Sequence, residues 1–174
     1  MSETRPFDLE RYVDRTLNGP CFICELIADN PAYLHHIIFE NDRAVAFLDK
    51  YPTLVGYTLV APKEHREHFT GDFSRAEYLE LQELIYRVAE AVRRAMSAER
   101  IYLLSLGSQQ GNSHVHWHIA PLPPGVPVLQ QQLEVLRKED GVLDLSEQEM
   151  AAVAARIRQE LQVIEREQQD SAHF

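Results

Sequence analysis

Apolar and polar positions change period several times along this chain, and each change marks an element. Over residues 7–18 the apolar residues Phe7, Leu9, Tyr12, Val13 and Leu17 recur at helical spacing among charges until Asn18-Gly19-Pro20 stops them. This predicts an N-terminal helix. After Asn30-Pro31, His36–Glu40 and Ala44–Asp49 read as strands joined into a hairpin by the turn residues Asn41-Asp42. Gly56–Ala61 is a third strand, rich in β-forming residues and closed by Pro62. The period then turns helical. Ser74-Arg75-Ala76-Glu77 has the spacing of a capping box, and Tyr78, Leu81, Leu84, Ile85, Val88 and Val92 share one face as far as Met96. Ile101–Leu106 is a fourth strand, and the polar loop Gly107–Asn112 feeds a fifth over residues 113–120.

That fifth strand alternates His114, His116 and His118 with Val115, Trp117 and Ile119. Successive side chains of a strand point to opposite faces, so three imidazoles share one face while the apolar set, with the chain's one tryptophan, lies in the core. The apolar face fixes the register. Alternate residues are ~6.6 Å apart, too far for one small ion to hold all three histidines but suited to three adjacent tasks along a ligand.

Leu122-Pro123-Pro124-Gly125-Val126-Pro127 ends the strand. Beyond it Leu129–Lys138 and Ala151–Glu165 read as helices, the second opened by the capping-box pattern Ser146-Glu147-Gln148-Glu149. The order of elements predicts an α+β fold: a five-stranded, mainly antiparallel sheet with one long packed helix and an added C-terminal helical tail.

At 174 residues and 45% hydrophobic content the chain fits one decorated domain with a real core. No stretch approaches the ~20 apolar residues of a membrane span, and Met1–Pro6 lacks the apolar core of a signal peptide. A cytoplasmic protein without a membrane partner is expected. The net charge of −10, from 27 acidic and 17 basic residues, opposes general attraction to a nucleic-acid backbone. Much of that acidity, in Glu77–Glu90 and Glu147–Glu167, is interleaved with arginine and reads as solvated helix faces.

Two cysteines occur, in Cys21-Phe22-Ile23-Cys24. A redox pair, half of a zinc site, and two buried thiols all fit this spacing. A redox Cys-x2-Cys belongs at a helix start within a βαβ order that is not found here, which puts zinc ahead. A structural zinc site needs four ligands, so His65 or His68 and one histidine of the triad would complete it.

The run His114-Val115-His116-Trp117-His118-Ile119-Ala120 resembles, at every position, the His-φ-His-φ-His-φ-φ signature (φ apolar) of the histidine triad superfamily of nucleotide hydrolases and transferases. Phe39-Glu40-Asn41-Asp42, Ala46-Phe47-Leu48-Asp49 and Gly56–His65, ending in Pro62-Lys63-Glu64-His65, are similar to the family's upstream run. The resemblance covers residues 20–124, leaving 1–19 as a helical extension and 125–174 as a tail packed on the same domain.

By residue-for-residue match, the resemblance implies that His116 is the nucleophile and that His118 contacts the phosphate. His116 would attack an α-phosphorus as a neutral imidazole and form a nucleotidyl-histidine intermediate that water cleaves, with activity falling at acid pH. Gly111, Asn112 and Ser113 would hold nonbridging oxygens, Asp49 would accept from the ribose hydroxyls, and Phe22, Ile23 and Phe47 would wall the base pocket. Zinc-containing members imply a closed structural site of Cys21, Cys24, His65 and His114. His35, His36, His68 and His173 are left without a role.

The chain departs from the family in the loop Ser108–Ser113 and in Pro121-Leu122-Pro123-Pro124 after the triad, where many members carry an arginine. The resemblance thus implies a HIT-like fold and a homodimeric enzyme hydrolysing a dinucleoside polyphosphate or a nucleoside phosphoramidate. A nucleotidyltransferase or phosphorylase with the same intermediate is the nearest rival. A nucleotide-binding regulatory module and a zinc-stabilised interaction protein are rivals of other classes.

Overall fold

The computed structural model describes residues 3–171; Met1, Ser2 and residues 172–174, including His173, lie outside the described residues. In chain order the elements are β1 (Thr4–Arg5), α1 (Leu9–Asn18), α2 (Phe22–Ile27), β2 (Ile37–Glu40), β3 (Ala44–Leu48), β4 (Thr58–Pro62), α3 (Arg75–Met96), β5 (Arg100–Ser105), β6 (Trp117–Leu122), β7 (Val142–Leu143) and α4 (Glu147–Ser171). Five strands form one sheet in the order β2-β3-β4-β6-β5, antiparallel at every pairing.

Every residue of β3 and β4 is buried because both faces of the sheet are covered. Ala44, Ala46, Leu48 and Val60 face α3 and α4, packing with Leu84, Val88, Val92 and Ile157. Val45, Phe47, Leu59 and Ala61 face the other way, against Ile23 and Leu26 of α2. The expected alternation follows the same division through β6 and the residues just before it: Val115, Trp117 and Ile119 join the α3 side, and the three histidines line a cavity on the opposite face.

Helix α3 opens with the anticipated capping box. The Ser74 hydroxyl accepts from Glu77 N–H, and the Glu77 carboxylate accepts from Ser74 N–H at 2.8 Å. Its apolar face lies on the sheet, and α4 packs against it through Leu161 and Ile164. Gly56 needs its missing side chain, since it has φ +84° and an added Cβ would come 2.6 Å from Met96 Cγ.

Two expectations need correction. The histidine strand begins at Trp117, where its ladders with both neighbours end, at Val60↔Trp117 and Ser105↔Trp117. Residues 114–116 are held instead by Val115 N–H donating to Arg66 O at 2.7 Å and by the Ser105 hydroxyl donating to His116 O at 2.8 Å. The helix expected over Leu129–Lys138 is three separate 3₁₀ turns, Val128–Gln130, Glu134–Leu136 and Lys138–Asp140. A helix there would have no buried face to hold it: Val128, Leu129 and Leu133 are 78%, 91% and 70% exposed.

Helix α2, which carries the two cysteines, was not anticipated, nor was the pairing of β1 with β7. That pairing sets Thr4 opposite Leu143 and Arg5 opposite Val142, tying the N-terminal arm to the tail. Among the described residues no helix is long and apolar enough to cross a membrane.

Candidate active and metal site

The site lies where α1, α2, the loop before β6 and the tail meet over the sheet, around a cavity of about 520 Å³. Backbone carbonyls and a carboxylate, which only accept, settle the tautomers of His65, His114 and His116. His116 Nδ1 lies 2.7 Å from His114 O two residues back, so Nδ1 carries the proton and Nε2 the lone pair. Burial pushes the His116 pKa down, which keeps the ring neutral. Phe22 stands edge-on to this ring, with centroids 5.7 Å apart at 88°.

The His118 ring lies 4.8 Å from that of His116, and its Nδ1 is 3.1 Å from the Tyr57 hydroxyl. Burial raises the Tyr57 pKa, so the phenol keeps its proton. Where the Tyr57 hydroxyl donates to Nδ1, the proton of His118 is on Nε2, a buried atom without a hydrogen-bond partner among the described residues. Burial, followed by the nearby His116, holds the His118 pKa down to about 3. In that tautomer an uncharged donor sits beside the uncharged lone pair of His116, whose ring is 4.8 Å away.

One turn of chain away, Cys21, Cys24, His65 and His114 bring their ligand atoms within 4.8 Å of one another, an arrangement able to hold a metal ion. His114 Nδ1 lies 3.5 Å from Cys21 Sγ and 3.6 Å from Cys24 Sγ, and His65 Nδ1 lies 3.2 Å from Cys24 Sγ. Each ring donates its other nitrogen's proton away from the cluster, His114 Nε2 to Pro62 O at 2.9 Å and His65 Nε2 to Glu67 at 3.1 Å. Both lone pairs thus point inward, as ligand imidazoles require. Without a cation, burial and then Cys21 push the Cys24 thiol up to about 11.

Phe22, Asp49, Gly111, Asn112 and Ser113 also line the cavity. Ile23 and Phe47 do not; both are wholly buried behind Phe22. The Asn112 amide donates to Tyr12 of α1 at 3.3 Å, and the Ser113 hydroxyl to Glu67 at 3.1 Å. Gly111 abuts α1 so closely that a Cβ would meet Thr16 Cγ2 at 2.6 Å.

Asp49 is buried. It accepts from Tyr51 N–H at 2.8 Å and from Lys138 Nζ at 2.9 Å. Burial alone would raise its pKa, but Lys138 and the backbone bond outweigh this and hold it below the usual carboxylate range. Sequence reasoning missed Lys138, Tyr57, Tyr12 and the cavity-lining His35. Only His35 left a trace in the sequence, as one of two adjacent histidines in a strand-edge segment.

A family model described as the HIT domain matches residues 31–124. An uncharacterized HIT-like protein of Saccharolobus solfataricus is 35% identical over 104 residues, covering 58% of this chain and 73% of that protein. An adenosine 5′-monophosphoramidase of Schizosaccharomyces pombe is 30% identical over 135 residues, covering 68% of this chain and 94% of that protein. A zinc-bound histidine triad family protein of Mycobacterium smegmatis superposes with a TM-score of 0.61 at 21% identity, over 87% of this chain and 96% of that one.

Proposed function

The chain belongs to the histidine triad family, and on that premise we propose that it hydrolyses a nucleoside 5′-phosphoryl compound at the α-phosphate through a nucleotidyl-His116 intermediate. The observation that carries this reading is the 2.7 Å bond from His116 Nδ1 to His114 O, which reserves a neutral Nε2 lone pair for the cavity. In the first step Nε2 bonds to the α-phosphorus while the bond to the leaving group breaks; the electron pair departs with that group, which, where it is an amine, takes up a proton from solvent. In the second, water oxygen bonds to phosphorus and gives a proton to solvent, the P–N bond breaks with its electron pair returning to Nε2, and a nucleoside 5′-monophosphate is released.

Positive charge develops on the His116 ring as the P–N bond forms. The Nδ1–H bond to His114 O then becomes charge-assisted, so it is stronger in the transition state than before it. His118 Nε2–H is the donor for a nonbridging oxygen, where negative charge accumulates. Asp49 takes the ribose, and Phe22 with His35 the base.

Zinc is the ion that fits the Cys21, Cys24, His65 and His114 cluster. Tetrahedral zinc with ordinary Zn–S and Zn–N lengths separates S from N by about 3.6 Å, close to the 3.2–3.6 Å found here. Four protein ligands leave no position for substrate, so the ion's contribution is structural. It would fix His114, whose carbonyl aims the nucleophile.

A phosphoramidate is the first substrate to test, because the S. pombe relative matched over 94% of its length is an adenosine 5′-monophosphoramidase. A turnover screen of adenosine phosphoramidates against diadenosine polyphosphates should show release of AMP from the former. Rates on both classes no higher than those of His116→Ala would overturn the proposal. Product formed only when an acceptor such as phosphate is added would make the protein a transferase.

A further inference from the structure

The tail reaches into the nucleoside end of the cavity with one side chain, Lys138. Its ammonium lies 2.9 Å from Asp49 Oδ2, with only 23% of the lysine and 9% of the aspartate side chain exposed. Three rings surround the same nitrogen: Tyr12 at 5.5 Å, and Phe7 and Tyr51 each at 5.9 Å from centroid to Nζ. These rings come from the N-terminal arm, α1 and the turn after β3, so three separate segments converge on one cation. Such an enclosure stabilises a charge that has left bulk water.

Lys138 is held from both sides along the chain. Leu136 packs into the sheet-side core, and β7 pairs with β1 directly beyond the turn. Leu143 N–H also donates to Pro52 O at 2.8 Å. A swinging latch would lack these anchors. A carboxylate offers about four lone-pair directions, and Asp49 uses two, one for Tyr51 N–H and one for Lys138. Two remain for a vicinal diol.

We propose that Lys138 is a positioning residue for ribose recognition, holding Asp49 ionised and aimed so that its two open directions accept the 2′- and 3′-hydroxyls of a ribonucleotide. The proposal rests on the nucleotide reading above. It makes the tail, which lies beyond the matched family domain, part of the substrate site in the same chain.

Calorimetric titration of the full-length protein with AMP and with 2′,3′-dideoxy-AMP tests it, in the wild type, Lys138→Met and Lys138→Arg, each checked for folding by its melting temperature. Wild type should prefer AMP. Lys138→Met should bind AMP about tenfold more weakly, the worth of roughly one hydrogen bond to a charged group, while dideoxy-AMP changes little. Lys138→Arg should restore the preference. Tighter AMP binding by Lys138→Met would overturn the proposal by making the lysine a competitor of the ribose, and so would equal losses on both ligands. If wild type binds AMP and the preference survives in Lys138→Met, the role of Lys138 fails alone; if wild type binds neither ligand, the nucleotide reading fails and takes the proposal with it.

Discussion

Chelating the ion proposed for the Cys21, Cys24, His65 and His114 site should do two separable things to this protein. The ligands come from three distant places in the chain, residues 21 and 24, 65, and 114, so an ion bound there ties α2 to the end of β4 and the start of the histidine segment. An ion that binds only the folded state stabilises it by RT ln(1 + [L]/Kd), about 4 kcal/mol when free zinc stands at ~1,000 times Kd. For a chain of this size each kcal/mol moves the melting temperature by roughly 2–4 °C. Chelation should therefore lower it by about 8–16 °C. The second effect is local. His114 would hold such an ion by Nδ1, and its carbonyl holds His116 at 2.7 Å, so turnover should fall at temperatures where the metal-free protein is still folded. Calorimetry with and without chelator, zinc add-back and metal analysis check both arms. A metal-free sample with the melting temperature and turnover of the purified protein would refute the reasoning.

Three further outcomes are expected. The acid limb of the rate profile should lie below the ordinary imidazole value of 6.5, because burial lowers the His116 pKa and the ring attacks only when neutral; a limb at or above 6.5 would contradict this. Asp49→Ala should weaken AMP binding far more than binding of 2′,3′-dideoxy-AMP, and equal losses in titration would remove its ribose role. Trp117→Ala should destabilise the fold by about 3–5 kcal/mol in denaturant unfolding, since the ring is 4% exposed and packed at 4.9 Å on Phe69; a loss under 1 kcal/mol would show that the core does not depend on it.

Much of this could be read from the sequence because local rules and packing agreed. Ser74 and Glu77 announce α3 by a cap that depends on four consecutive residues, and the histidine alternation is enforced by Val115, Trp117 and Ile119 on the buried side. The four residues of the candidate metal site were picked out through type and resemblance, and their spatial meeting depends on strand pairing no local pattern states. The 3₁₀ turns of 128–140 were misread because Val128, Leu129 and Leu133 look apolar enough for a helix face yet are largely exposed. Lys138 was invisible for a related reason. Its partners Asp49, Tyr51, Tyr12 and Phe7 are scattered over the first third of the chain, and a lone lysine carries no periodicity.

Nucleophilic catalysis by His116 requires a bond from its Nε2 to phosphorus. Acid-free quenching of a reaction with an adenosine phosphoramidate, followed by peptide mass spectrometry, should place an adenylyl group on the peptide containing His116 in the wild type and on no peptide in His116→Ala. An adduct on another residue, or full turnover by His116→Ala, would contradict the account.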